Sequence, residues 1–204
     1  MKKNLFGYTL KALEEEMLSL GEKKFRAIQL YTWIYVKKVY DFDSMTDISK
    51  TFRETLKENY CLTLPKIYTQ QVAEDGTIKL LLEMEDGAKV ETVLMRYDYG
   101  NAICVSSQVG CAMGCAFCAS GLLKKERNLT SAEMVGEVIA MNQILYEVGE
   151  NVTHIVVMGT GEPFDNYDNV SSFIHIMNEA KGKWAIILFK NLISCAKSIM
   201  LKDF

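Results

Sequence analysis

Three cysteines within one short run, Gly110-Cys-Ala-Met-Gly-Cys-Ala-Phe-Cys118, constrain this chain more than any other feature. A segment so rich in thiols must wrap around something that binds sulfur or leave reactive groups in the open. The spacing Cys111-x3-Cys115-x2-Cys118 suits a cubane iron–sulfur cluster gripped by three of its irons. Protein-only cubanes normally take four cysteines, so a three-cysteine loop leaves one iron open to another ligand. That opening is what radical chemistry on S-adenosylmethionine needs. Ala112, Ala116 and Ala119, beside Gly110 and Gly114, keep the loop thin enough to approach an inorganic core.

Two other readings of the loop stay open at this point. A structural zinc site usually pairs two C-x2-C knuckles and needs a fourth ligand. Here the remaining candidates, Cys61, Cys104, Cys195, His154 and His175, are scattered. A disulfide framework suits short secreted chains, whereas the first ten residues, Met1 to Leu10, lack the apolar core of a signal peptide. The expectation is a soluble, intracellular protein with reduced thiols and no membrane span. A net charge of −3 gives no bulk attraction for nucleic acid. Two local basic groups, Lys23, Lys24 and Arg26, and Lys124, Lys125 and Arg127, read either as solvated faces or as local attraction for nucleic acid.

The hydrophobic period divides the chain. Leu10, Leu13, Met17 and Leu20 recur at helical spacing, and further helical segments carry Phe25 to Val36 and Phe52 to Tyr60. Strands are expected over 67–73, 77–84 and 89–96, separated by the turn dipeptides Asp75-Gly76 and Asp86-Gly87. A further strand, Ala102–Ser106, leads into the cysteine loop. Thr130 and Glu133 then form a capping box before an apolar helix ended by Gly149. The unbroken apolar run His154–Met158 reads as a buried parallel strand, and it empties into Gly159-Thr-Gly-Glu-Pro163 before another amphipathic helix. Strand–loop–helix repetition with chemistry in the loops is the logic of a barrel.

With these motifs in place the chain resembles the radical-SAM superfamily, on its three cysteines and its glycine–glutamate–proline turn. Within it, Cys104-Val-Ser-Ser-Gln-Val-Gly-Cys111, Gly21–Arg26, Met45–Ser49, Asp75–Lys79 and Val90–Val93 look like the bacterial dual-specificity adenine-C2 methyltransferases of 23S rRNA and tRNA. The similarity runs over about residues 5–181. It implies an α/β fold: a partial radical-SAM (βα) barrel, incomplete here, preceded by a small helical domain and a short antiparallel β-meander. The corresponding divisions are 1–62, helical and RNA-binding; 63–100, the meander; 101–182, the first part of the barrel; and 183–204, a tail outside the resemblance.

The resemblance also implies the chemistry. One S-adenosylmethionine methylates a cysteine near the C-terminus of full-length members, and a second is cleaved by one electron. The methyl group reaches adenine C2 through a protein–RNA thioether, which a second cysteine resolves as a transient disulfide. On this sequence Cys111, Cys115 and Cys118 match the ligands of a [4Fe-4S] cluster. Gly161 and Glu162 match the turn that contacts the S-adenosylmethionine amino group, and Phe117 could pack on its adenine. Cys104 matches the resolving cysteine and Glu91 the proton acceptor. The implied partners are 23S rRNA, tRNA and a one-electron donor such as flavodoxin or ferredoxin, for a cytoplasmic monomer. Lys124, Lys125 and Arg127 would meet RNA phosphates at the mouth of the cavity.

Related adenine-C8 enzymes are an alternative within the class, and an inert iron–sulfur- or zinc-binding fragment is one outside it. After Gly182 the sequence departs from the family. Lys183 to Phe204 matches none of its segments, the methyl-carrying cysteine is missing, and the neighbours of Cys195 do not fit that role. A frameshift or truncated gene is the expectation from this break, with about half a barrel present.

Overall fold

The computed structural model describes residues 2–179 and 187–188. The expected tail and Cys195 therefore lie outside the described residues, apart from one short strand. The N-terminal part is helical. α1 (Leu10–Ser19) starts where the Thr9 hydroxyl accepts from Ala12 N–H at 3.2 Å, and it buries Leu10, Leu13 and Met17 along one stripe. α2 (Phe25–Tyr31) runs directly into a wide π-type turn over Thr32–Val36, closed by Lys37 N–H to Thr32 O at 2.9 Å. That turn lets three consecutive residues, Trp33, Ile34 and Tyr35, all point into the core. α3 (Lys50–Asn59) begins at Ser49 and buries Phe52 and Leu56. A two-residue parallel pair, β1 (Lys3–Asn4) with β2 (Tyr60–Cys61), joins the ends of this module.

The meander follows as β3 (Lys66–Val72), β4 (Ile78–Glu83) and β5 (Lys89–Tyr97). Its two turns are held by Asp75 and Asp86, whose carboxylates accept from Thr77 N–H at 2.9 Å and Ala88 N–H at 3.1 Å. β4 alternates buried and half-buried residues, as a strand with one covered face must. β6 (Gly100–Cys104) pairs antiparallel with β5 and parallel with β9 (His154–Val156), and β10 (Ile187–Leu188) pairs parallel with β9. The meander and the parallel strands thus form one six-stranded sheet, ordered β10-β9-β6-β5-β4-β3. A separate ribbon, β7 (Gln108–Val109) with β8 (Arg127–Asn128), closes the base of the cysteine loop.

α4 (Ser131–Glu147) carries the capping box, Thr130 and Glu133, and α5 (Tyr167–Met177) follows the glycine–glutamate–proline turn. Val135, Val138, Ile139, Phe173 and Met177 join Leu94, Ile103 and Ile155 in one apolar cluster, each side chain contributing on the order of 1.5–3 kcal/mol. The helical module shares this core. Tyr31 donates its hydroxyl to Ile176 O at 3.0 Å, and Ser131 donates to Gly7 O at 3.1 Å. Among the described residues no helix is long and apolar enough to cross a membrane.

Candidate functional site

The site grows from the end of β6. Antiparallel pairing sets Cys104 directly opposite Val93, and parallel pairing sets it beside Val156. Glu91 lies two residues along from Val93, so alternation brings Glu91 and Cys104 to the same face of the sheet, away from Leu94 and Ile103. Glu91 is half exposed and pairs diagonally with Lys79 at 3.2 Å. Burial pushes the Cys104 thiol above its ordinary range; the backbone N–H of Met158 opposes that shift, and the Glu137 carboxyl adds to it. The described cysteines form no disulfide.

Beyond Cys104 the chain leaves the sheet, and Val105–Gln108 becomes a linker that the Gly159–Pro163 turn grips almost residue by residue. Gly159 N–H donates to Val105 O at 3.0 Å, and Thr160 N–H to the Ser106 hydroxyl at 3.0 Å. Thr160 O accepts from Ser107 N–H at 2.9 Å and Gln108 N–H at 3.1 Å. Glu162 N–H donates to Gln108 Oε1 at 3.0 Å, and the Glu162 carboxylate caps the following turn by accepting from Phe164 N–H at 3.1 Å. Buried Asn166 finishes the seam, donating to Ser107 O at 2.8 Å and Leu129 O at 2.7 Å. Gly161 has φ +112°, and a Cβ there would lie 2.6 Å from Gln108 Cβ. Only glycine allows so close an approach.

The cysteine loop rises from this seam. Its base is closed by Glu126 N–H to Val109 O at 2.8 Å and Cys111 N–H to Leu123 O at 3.1 Å. Gly110 has φ +72°, and a Cβ on it would fall 2.0 Å from the Lys124 carbonyl oxygen. Cys118 N–H turns back to Cys115 O at 3.1 Å. Cys118 is exposed, and Cys111 and Cys115 are half-buried. Among the described residues no three of His, Cys, Asp and Glu converge into a metal-holding group. The donor set nonetheless fits an iron–sulfur core: three thiols on one thin loop, fixed at its base and reachable from outside. Phe117, between the last two thiols, is 82% exposed, and Leu122 beyond them is 89% exposed.

The basic group after the loop behaves differently from the sequence expectation. Arg127 is held by Asp86 and Glu133, with two hydrogen bonds to each carboxylate, so its charge is spent inside the fold. Lys125 lies 3.7 Å from Asp165. Lys124 is exposed and has no ion pair among the described residues. Ser106 and Gln108, within the Cys104–Cys111 run, and Asn166 and Glu137 carry no role in the sequence expectations. Of these only Glu137 leaves a signal, as the one charge in the run Met134-Val-Gly-Glu-Val-Ile-Ala-Met141, three residues after one buried methionine and four before another.

Comparison with known proteins meets this geometry. Residues 3–62 match the family described as ribosomal RNA large subunit methyltransferase N-terminal domain. A probable dual-specificity RNA methyltransferase RlmN of Spiroplasma citri is 52% identical over 179 residues, covering 88% of this chain and 52% of that protein. The corresponding protein of Enterococcus faecalis is 48% identical over 183 residues, covering 89% of this chain and 51% of its own length. Over the residues matched, the chain is similar to these RNA methyltransferases. A solved radical SAM methyltransferase from Sphaerobacter thermophilus superposes with a TM-score of 0.81 at 40% identity, over 91% of this chain and 56% of that one. The chain spans about half the length of the curated RlmN relatives it matches.

Proposed function

We propose that this chain carries the cluster- and S-adenosylmethionine-binding half of a radical-SAM methyltransferase acting on C2 of adenine in 23S rRNA and tRNA. One observation supports the reading above others: the Gly159–Pro163 turn is hydrogen-bonded directly to the base of the cysteine loop, through Ser106, Ser107 and Gln108. Two motifs far apart in sequence thereby share one platform. The α/β fold, read this way, is the opening part of a (βα) barrel, with β6, β9 and β10 as its parallel strands.

Cys111, Cys115 and Cys118 would hold a [4Fe-4S] cluster, which when bound supplies the electron that cleaves S-adenosylmethionine. Gly161, whose missing Cβ leaves room for Gln108, would offer S-adenosylmethionine its backbone, and the Glu162 carboxylate would accept from its ammonium in a charge-assisted hydrogen bond. Phe117 is free to fold over the adenine. Cys104, on the sheet face that also carries Glu91, is the thiol that resolves the protein–RNA adduct, and its burial keeps it protonated until that step. Glu91 is the proton acceptor, released from Lys79 when substrate arrives. Exposed Lys124 and Lys23 contribute phosphate contacts, while Arg127 does not. The remaining assignments follow the same reading: a cytoplasmic monomer supplied by a donor such as flavodoxin or ferredoxin.

Anaerobic reconstitution tests this directly. About four irons and four sulfides per chain, with reductive cleavage of S-adenosylmethionine to 5′-deoxyadenosine, is the expected result. Colourless protein holding a single zinc contradicts it.

A further inference from the structure

The buried carboxyl of Glu137 sits where nothing in the packing asks for a charge. It is 0% exposed on α4, between Met134 and Met141, a position that a methionine or leucine would fill. Its Oε2 accepts from Ser106 N–H at 3.0 Å, whereas Oε1 has no hydrogen bond among the described residues. The nearby Thr92 hydroxyl spends its proton on Cys104 O at 2.8 Å. Burial, with the Glu133 charge adding to it, raises the acid well above its ordinary value against the opposing pull of Ser106 N–H and Thr92. A cost of that kind persists in a fold when the group satisfies something else.

What it satisfies is a gap in the sheet ladder. Val105 N–H still reaches β9, at Val156 O, and Ser107 N–H already belongs to the turn, at Thr160 O, both at 2.9 Å. Ser106 N–H, between them and 0% exposed, would be an orphan donor without Glu137. The same serine then works in two further directions. Its hydroxyl donates to Glu91 O at 2.8 Å and accepts from Thr160 N–H at 3.0 Å. One residue therefore joins α4, β5 and the Gly159–Pro163 turn at the point where the chain departs for the cysteine loop.

We propose that Glu137 and Ser106 form a positioning pair that fixes the Glu91 strand and the Gly159–Pro163 turn against each other beneath the cysteine loop. Each acts through the groups it holds. The functional meaning of this arrangement rests on the methyltransferase reading, but the coupling itself is a property of the chain.

Amide hydrogen exchange on the 204-residue chain, with no cofactor added, reads the coupling. Ser106→Ala keeps the backbone N–H on Glu137 but removes the hydroxyl, so Thr160 should exchange at least about tenfold faster while residue 106 stays protected. Glu137→Ala should release both the Ser106 and Thr160 amides by about tenfold, with α1 unchanged. Glu137→Gln keeps a neutral acceptor and should leave both within about threefold of wild type. Thr160 protection unchanged in Glu137→Ala overturns the proposal. If that variant does not fold, release of the Ser106 amide in Glu137→Gln overturns it, and wild-type protection there together with release of Thr160 in Ser106→Ala supports it. Equilibrium dialysis of S-adenosylmethionine against the anaerobically reconstituted chain separates the two layers. About tenfold weaker binding in Ser106→Ala, with wild-type binding in Glu137→Gln, joins the pair to the site. A reconstituted wild-type chain that binds no S-adenosylmethionine defeats the methyltransferase reading and leaves the exchange result standing.

Discussion

Arg127 meets Asp86 through two parallel hydrogen bonds, 2.7 Å from Nε and 2.9 Å from Nη2. The partners stand 41 residues apart, so this fork pins the β4–β5 hairpin to the exit of the cysteine loop. The second carboxylate on Arg127, Glu133, also caps α4 by accepting from Thr130 N–H at 2.8 Å. Loop, hairpin and helix start are thereby one joint. Arg127→Ala should lower unfolding free energy by about 1–2 kcal/mol, the side chain being partly exposed and screened, and Arg127→Lys should recover less than half, because lysine cannot fork. Asp86 is held below its ordinary carboxylate value of 3.8, chiefly by the hydrogen bond from Arg127. Its contribution is therefore complete above that value and is lost as pH falls through the folded one. Urea midpoints for both variants at neutral pH, and for wild type down to pH 3, check the magnitudes and the sign. A midpoint unmoved by Arg127→Ala at neutral pH would show that the joint carries no stability.

Glu137 has the opposite sign. Its folded value is raised by burial, so the native state binds the extra proton, and stability falls as pH rises from the ordinary value of 4.5 towards the folded one. Glu137→Gln should remove that slope and leave the variant less sensitive to alkali than wild type. Urea midpoints measured from pH 5 to 8 would contradict this if both proteins lost stability in parallel.

The visible and hidden parts of this fold differ for a physical reason. The Asp86-Gly87 turn, the period-two strands around it and the Thr130–Glu133 capping box are local patterns, and all appear near the expected positions. The wide turn at Thr32–Val36 was not legible, because three consecutive inward side chains have no periodic signature. The fork at Arg127 has no local signature because its deciding partner, Asp86, is distant, and by sequence alone the basic run Lys124–Arg127 reads as a solvated or phosphate-facing surface. The parallel pairing of β6 with β9, Ala102 beside His154, is likewise a contact between distant parts of the chain. Glu137 was the near miss: its place among buried methionines on α4 marked it, but its partner, Ser106, lies 31 residues upstream.

Gly110 offers a steric test of the loop base. An alanine there must adopt φ near +72° and place its Cβ against the Lys124 carbonyl, a backbone atom that cannot swing aside. Gly110→Ala should cost about 2–4 kcal/mol or open the base of the loop, seen as fast exchange of the Cys111 and Glu126 amides. A variant with wild-type stability and exchange would mean that the loop base is not built as described.

Thiol labelling separates the cysteine roles. In the untreated chain exposed Cys118 should alkylate faster than Cys104, whose thiol burial has raised. After anaerobic iron–sulfide reconstitution Cys111, Cys115 and Cys118 should become protected together, while Cys61 and Cys104 still react. Peptide mapping after iodoacetamide treatment reads all five. Protection of Cys104 in place of one loop cysteine would reassign the ligands.

The central claim is that the cysteine loop and the Gly159–Pro163 turn form one site, and electron paramagnetic resonance of the reconstituted, dithionite-reduced chain tests it most directly. A reduced [4Fe-4S] signal whose g-values shift on adding S-adenosylmethionine, and which does not shift in Gly161→Val, is the predicted result. A cluster signal indifferent to S-adenosylmethionine in the wild-type chain would contradict it.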